Sequence, residues 1–386
     1  HDTGRMTSFT GLFHEPRGMV FHGLALLYGV GGYLLGLAGL FASNAWINVG
    51  ATLLLGHAMV ICAYMIHECG HNTVFRSNEY NAWLGRFLNW VCGTSYGTFE
   101  DIRYKHFRHH MDNDDSVWFM CDEFLERHPR LTQVVKLLEW FYIPAHDMIM
   151  HFITVFTAFI IPQRRDQMPR NAIVLLVRGG VWFWVLFNYP GAALLYLVAY
   201  MIMMHVLRFK DGVQHDYDGN PTLFEEDPPS RYGGRASEQA HTFSNPECLK
   251  YDWPNYFTLC FGFHNAHHKR PTVPWYALPA YHREQFGDDP AFWHNEEFLS
   301  RSRTEVIPWF PQKPDLPDHD PSKAGPFDEM ESNDTLKRLT GALLGDGWNT
   351  LYGMVMFSKR GSAGQAWHQD CPPENPDTFN LNRLVY

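Results

Sequence analysis

Cysteine is present without a pattern. The chain has seven, irregularly spaced and with no Cys-x-x-Cys pair, so they build neither a disulfide framework nor a zinc ribbon and read as scattered, reduced thiols. A basic surplus is missing too: the formal net charge is −10, drawn largely from the acidic C-terminal third, which excludes nucleic acid as a partner. Neither a long-period repeat, nor a low-complexity tract, nor a cleavable signal peptide is found. The first residue is His1 rather than methionine, which points to a missing or processed amino terminus.

Charge is scarcest along a few apolar runs. Aromatic residues make up 16% of the chain while mean hydropathy is slightly negative, so the apolar residues are segregated into segments, as in membrane proteins. Phe21–Phe41 and Trp46–Ile66, joined by Ala42-Ser43-Asn44-Ala45, predict one helical hairpin. Ala172–Phe187 and Gly191–Leu207, turning at Asn188-Tyr189-Pro190, predict a second, with Arg178 in its first arm facing the bundle interior. Met148–Ile161, preceded by Pro144 and His146, is short for a span and predicts an interfacial or re-entrant helix. Neither hairpin turn has Lys or Arg, whereas the other flanks carry Arg5 and Arg17, Arg76 to Lys136, Arg164, Arg165 and Arg170, and Arg208 and Lys210. Those flanks are therefore expected in the cytoplasm.

Histidine is concentrated on that same side. His67-Glu68-Cys69-Gly70-His71 ends the second apolar run, and on a helix its two histidines, four apart, point the same way. In isolation such a pair reads best as surface histidines at a helix end. Two more clusters follow, His106-Phe107-Arg108-His109-His110 and His264-Asn265-Ala266-His267-His268. Imidazole suits iron, copper, zinc and nickel, so ligand type does not name the metal. Number helps: eight histidines suffice for two ions with open positions, whereas a structural zinc site closes with four ligands. Soluble di-iron bundles rely mostly on carboxylates, and here histidine stands in their place. His57 lies about 15 Å along a helix from His67, too far to share an ion. Like His146, His151 and His205, it is expected to be hydrogen-bonded within the bundle.

These clusters, HECGH, HFRHH and HNAHH in that order around two membrane hairpins, resemble the three histidine boxes of the membrane fatty acid desaturase superfamily over roughly Arg17–Trp293. In detail they look more like acyl-lipid than acyl-CoA desaturases. The resemblance implies a non-haem di-iron centre of two Fe ions at the cytoplasmic face, using O2 to introduce a double bond into the acyl chain of a membrane lipid or related substrate. It also implies electrons from a ferredoxin or cytochrome b5-type donor, and no haem-binding HPGG stretch occurs in this chain. A further histidine between the last hairpin and the third box belongs to the pattern. His215 is the best candidate for it, with His241 competing. A bacterial inner membrane is expected rather than the endoplasmic reticulum. Hydroxylases and ketolases built on the same boxes remain the alternative, because the outcome depends on substrate placement. A transport role would string ionisable residues through the spans, whereas these histidines gather at one face.

The expected fold is thus an all-α integral membrane domain over 1–300, with four transmembrane helices in two hairpins and a cytoplasmic helical cap holding a di-metal site. A Pro-rich acidic linker follows at 301–328, with Pro308, Pro311, Pro314, Pro317 and Pro321. Within 329–386, Gly361–Asp370 resembles the phytanoyl-CoA dioxygenase family around its metal strand. His368 and Asp370 would there supply two of three ligands of an Fe(II) facial triad. Strand propensity at Leu384-Val385-Tyr386 fits the β jelly roll this implies. The stretch is read as an incomplete module, whose Fe(II)/2-oxoglutarate chemistry would require the distal histidine and an arginine. If the topology holds, reporter tags beside His106 and beside His264 will both be on the cytoplasmic side in a protease-protection assay. Opposite sides would rule out a shared site.

Overall fold

Gly18, His22, Ala25, Gly29, Gly32 and Gly36 alternate steps of four and three along the sequence and form the buried face of α1 (Gly18–Gly39). In the computed structural model this stripe lies against α2 (Ala45–Gly70). A Cβ built on Gly36 would come within 2.8 Å of Leu55 Cβ and 3.0 Å of Ala51 O, so only glycine allows this approach. Two asparagines hold the turn between the helices. Asn44 Oδ1 accepts from the amides of Trp46 and Ile47 to cap α2. Asn48 Nδ2 donates to the carbonyls of Gly39, Leu40 and Ala42 at the end of α1.

The structure describes residues 9–287 apart from 93–96, 113–116, 213, 216–221, 224–237, 240 and 249. The linker expected at 301–328 and the segment 329–386, with His368 and Asp370, lie outside the described residues. Among the described residues the fold is helical, with three isolated β-bridges and no strand.

Among the described residues, four helical segments are long and apolar enough to cross a bilayer: Gly18–Gly39, Ala45–Gly70, Pro162–Asn188 and Pro190–Asp211. The second outruns the apolar run that predicts it. It continues through His67 to Gly70 and stops where Asn72 takes a left-handed conformation, φ 58°. The third begins ten residues before Ala172. A 3-10 turn (Pro162–Gln167) leads into α8 (Met168–Val174), a π turn (Leu175–Gly179) and α9 (Gly180–Asn188). Arg164 can enter this segment because its guanidinium pairs with Asp101 at 2.8 Å and stacks 4.0 Å from the centre of the Trp118 ring. Pro190 then opens α10 (Pro190–Asp211), which packs on α2.

The remaining helices are shorter. α3 (Asn78–Val91), α4 (Phe99–Asp112), α5 (Cys121–Arg127) and α6 (Pro129–Trp140) follow α2. α7 (Ala145–Ile160) has 16 residues, about 24 Å of helix against a hydrocarbon core of about 30 Å. A buried ion pair, Arg208 to Glu139 at 2.9 Å, ties α10 to α6. α11 (His264–Lys269) and α12 (Leu278–Phe286) complete the described chain. His151 bonds Tyr200 Oη at 2.8 Å, and His205 bonds the Tyr142 carbonyl at 2.8 Å. His57 is half-buried, bonded to Tyr28 Oη at 2.7 Å and to the Phe257 carbonyl at 2.9 Å. The backbone amide of His146 donates to Glu139.

The glycine stripe makes a direct prediction. Gly36→Ala should destabilise the fold by about 1–3 kcal/mol despite alanine's better helix propensity. Gly31→Ala, on the same helix where a Cβ meets nothing within 4 Å, should be neutral or mildly stabilising. Thermal denaturation of both in detergent checks the contrast, and equal melting temperatures would refute the close-packing account.

Candidate metal centre

The last turn of α2 delivers His67, and His71 caps that helix. α4 delivers His106, His109 and His110, and α11 delivers His264, His267 and His268. His215 arrives from the stretch after α10 and bridges to Thr242. Side by side they form two groups, His67, His71, His106 and His267 in one and His109, His215, His264 and His268 in the other, with ligating atoms within 4.8 Å of one another in each. His106 and His109, three apart on α4, go to different groups. His110 lies between the groups: its Nε2 is 3.0 Å from His106 Nε2 and 3.1 Å from His267 Nε2, and its ring centre is 4.2 Å from that of His268. His241 belongs to neither group.

The nitrogen spacing tests whether a cation fits. A neutral ring nitrogen either donates one proton or accepts with one lone pair, so it satisfies one neighbour. Yet His106 Nε2 faces both His71 Nε2 at 2.7 Å and His110 Nε2 at 3.0 Å. His264 Nε2 faces His215 Nε2 at 2.7 Å and His268 Nε2 at 3.1 Å, and His215 Nε2 also faces His109 Nε2 at 3.0 Å. His67 Nε2 is buried with no hydrogen-bond partner. Proton sharing cannot satisfy such a set. A cation can, because metal–nitrogen bonds of about 2.1 Å place adjacent ligand nitrogens about 3 Å apart.

Second partners fix which nitrogen is free. Glu238 Oε1 lies 2.8 Å from His268 Nδ1, so the proton sits at Nδ1 and Nε2 keeps its lone pair. The Thr242 hydroxyl spends its proton on the Glu238 carbonyl at 2.6 Å, leaving its oxygen to accept from His215 Nδ1 at 3.4 Å. Asn265, fully buried inside the third cluster, stitches this stretch to α11: its Nδ2 donates to the Thr242 carbonyl and its Oδ1 accepts from the Ser244 hydroxyl at 2.9 Å. Glu68, inside the first cluster, accepts from the Thr73 hydroxyl at 2.6 Å and the Trp275 amide at 3.2 Å. Glu68 and Asn265 were visible as the non-histidine members of their clusters. Glu238 and Thr242 lie in a stretch with no pattern to mark them.

Burial, and then repulsion among the rings, holds His71, His106, His264, His267 and His268 well below the ordinary imidazole range. His110 is pushed down to about 2, by burial first and then by His109. These rings are therefore neutral, the form that binds metals. Phe261 closes the site on its apolar side, its ring centre 5.2 Å from that of His67 and 5.3 Å from that of His264. A groove of about 400 Å³ runs between α1, α2 and the turn Trp253–Thr258, lined by Phe21, Leu24, Tyr28, His57, Ile61 and Phe257 among others. Ile61 is six residues before His67, about 9 Å along α2.

Residues 44–296, well over half of the chain, match the family model for fatty acid desaturases. No curated protein matches the chain. If Glu238 holds the His268 proton, Glu238→Ala should weaken metal binding 10- to 100-fold, roughly the cost of losing such a partner. Glu238→Gln, whose amide oxygen can still accept, should retain most of it. Metal titration of the purified chain measures both, and wild-type affinity in Glu238→Ala would discard this role.

Proposed function

The chain belongs to the fatty acid desaturase family, and from that premise we propose that it is an oxygen-dependent, membrane-embedded di-iron desaturase acting on the acyl chain of a membrane lipid. The observation that carries this reading is the sorting of eight imidazoles into two groups of four, with His110 between them. An all-nitrogen donor set is compatible with iron, which the family match favours among the metals imidazole binds, whereas a closed structural zinc site would draw on cysteine. The two irons, when bound, supply the oxygen-dependent chemistry that breaks unactivated C–H bonds.

The chain's own residues do the rest. His67, His71, His106 and His267 would hold one iron, and His109, His215, His264 and His268 the other. His110 stands within reach of both groups. Glu238 and Thr242 keep the Nδ1 protons of His268 and His215 in place, so that Nε2 would be free to hold the metal. Phe261 keeps the approach to the site dry. The groove beside Ile61 would seat an acyl chain, which has no polar group to recognise and is bound by apolar burial. Removing two hydrogens from the chain while reducing O2 to two waters needs two more electrons and two protons. A ferredoxin or cytochrome b5-type donor would supply the electrons on the metal side of the membrane. The basic flanks read that side as cytoplasmic. His368 and Asp370 have no part in this reaction.

Expression in a bacterial host, followed by mass spectrometry of the lipids with double-bond localisation, tests the reading. A new double bond is expected. His109→Ala and His267→Ala, one from each group, should abolish it and lower bound iron while the chain still inserts. A new hydroxyl or keto group would reassign the chain to the sister oxidations, and unchanged lipids with an iron-loaded chain would overturn an oxidative role.

A further inference from the structure

α3 carries a stripe that nothing so far explains. Tyr80, Trp83, Phe87 and Trp90, at steps of three, four and three, are 52%, 67%, 42% and 41% exposed, and Trp83 and Phe87 stack in parallel 6.1 Å apart. The opposite face of the helix, Asn81, Leu84, Gly85, Leu88 and Asn89, is buried. At 100° per residue the four aromatics fall within an arc of about 80°. Arg86 lies about 40° beyond that arc, paired with Glu100 of α4 at 2.6 Å. Four large rings on one face form an apolar patch that water does not favour.

A second observation fixes the depth. Arg178 lies in the π turn of the segment Pro162–Asn188, ten residues before its far end, or about 15 Å along the axis. With that segment across the bilayer, Arg178 is near the middle of a hydrocarbon core of about 30 Å. A guanidinium there needs a partner, and it lies 5.0 Å from the centre of the Trp90 ring. Trp90, the last aromatic of the stripe, is thus at membrane depth. The start of α3 follows the stretch where Phe13 bridges Phe75 and Arg76 bonds the Phe13 carbonyl, only a few residues past the His71 cap.

We propose that α3 is a membrane-inserted helix: it slants into the leaflet on the metal side, its aromatic stripe in contact with lipid chains and its buried face on α2 and α4. Tyr80 at the stripe's outer end suits the interface, where an apolar ring with a polar edge is favoured, and Trp90 at the inner end covers the Arg178 guanidinium. The placement also serves the site. A Cβ on Gly85 would come within 2.3 Å of the Phe99 ring, so α3 and the first residue of α4 are locked together. α4 carries His106, His109 and His110, and a lipid-anchored α3 therefore pins them at the membrane surface.

The inference rests on Pro162–Asn188 crossing the bilayer, so the test reads both. Nitroxide labels are placed on cysteines introduced by Trp83→Cys, Phe87→Cys, Leu176→Cys and Glu284→Cys in the full chain in phospholipid vesicles. The signal of the unsubstituted chain is subtracted. Collision with oxygen relative to an aqueous nickel chelate should be several-fold higher at 83, 87 and 176 than at 284. Lipid contact at 176 with aqueous contact at 83 and 87 would overturn the placement of α3 alone, whereas aqueous contact at 176 would overturn the span. Exclusion of both quenchers at 83 and 87 with spin–spin broadening would show a second copy on the stripe and also overturn the proposal. Because a Trp→Cys change can perturb folding, quenching of native tryptophan fluorescence by brominated lipid gives an independent reading. Trp83→Phe should reduce the quenchable fraction, and an unchanged fraction counts against lipid contact.

Discussion

Ring nitrogens crowded at 2.7 to 3.1 Å, with more lone pairs than protons to share, are the constraint from which the other features follow. A buried polar atom left unpaired costs about 1–3 kcal/mol, and burial holds His71, His106, His110, His264, His267 and His268 neutral and largely out of water. Without rigid backbones the rings would swing apart to find solvent. The scaffold prevents this through groups that bind nothing themselves: Glu68 joins the first cluster to Thr73 and Trp275, and Asn265 joins the third to the stretch 242–244. The cost of crowding is borne locally, and a cation would relieve it.

α2 ties this centre to the membrane. It runs unbroken from its cap at Asn44 to His67, 23 residues or about 35 Å, slightly more than the thickness of a hydrocarbon core. With α2 across the bilayer, as proposed, its depth would set the height of the site. That is why the packing of α1 matters to chemistry far from it: the glycine stripe brings α1 within backbone distance of α2, and any splaying there would tilt His67 and His71 relative to α4. On its other side α10 approaches as closely, with a Cβ on Gly56 only 2.9 Å from the Ala199 carbonyl.

Much of this was legible in the sequence, for reasons that also mark where legibility ended. Hydropathy over twenty residues locates helices of bilayer length, and a step of four places His67 over His71, because both depend on local geometry. The partition of the rings does not. His106 and His109 sit in one cluster of sequence, yet α4 turns about 300° between them, and only the approach of α2 on one side and His215 on the other decides their groups. Glu238 and Thr242 act through a fold-back from residue 242 to residue 215 that leaves no periodicity to read. The early start of the third long apolar segment was hidden by Arg164, whose charge looks like a loop signal until Asp101 and Trp118 cover it. The aromatic period of α3 was present in the sequence but lay within a basic flank, where charge rather than spacing drew the reading.

The turn before α11 couples the two halves of the site. Leu259 and Cys260 are both left-handed, with φ of 46° and 55°, a conformation that costs non-glycine residues about 1–3 kcal/mol each. Asn255, fully buried, sustains it: its side chain bonds the amide and carbonyl of Cys248, and its carbonyl accepts from the Cys260 amide at 2.7 Å. The reversal lets Tyr256, Phe257 and Leu259 line the groove while Phe261 and His264, a few residues on, face the imidazoles. A helical path through the same residues would carry the chain past one surface or the other, not both. The strain thus has a geometric purpose, since one short segment holds a wall of the groove and a candidate metal ligand in fixed relation.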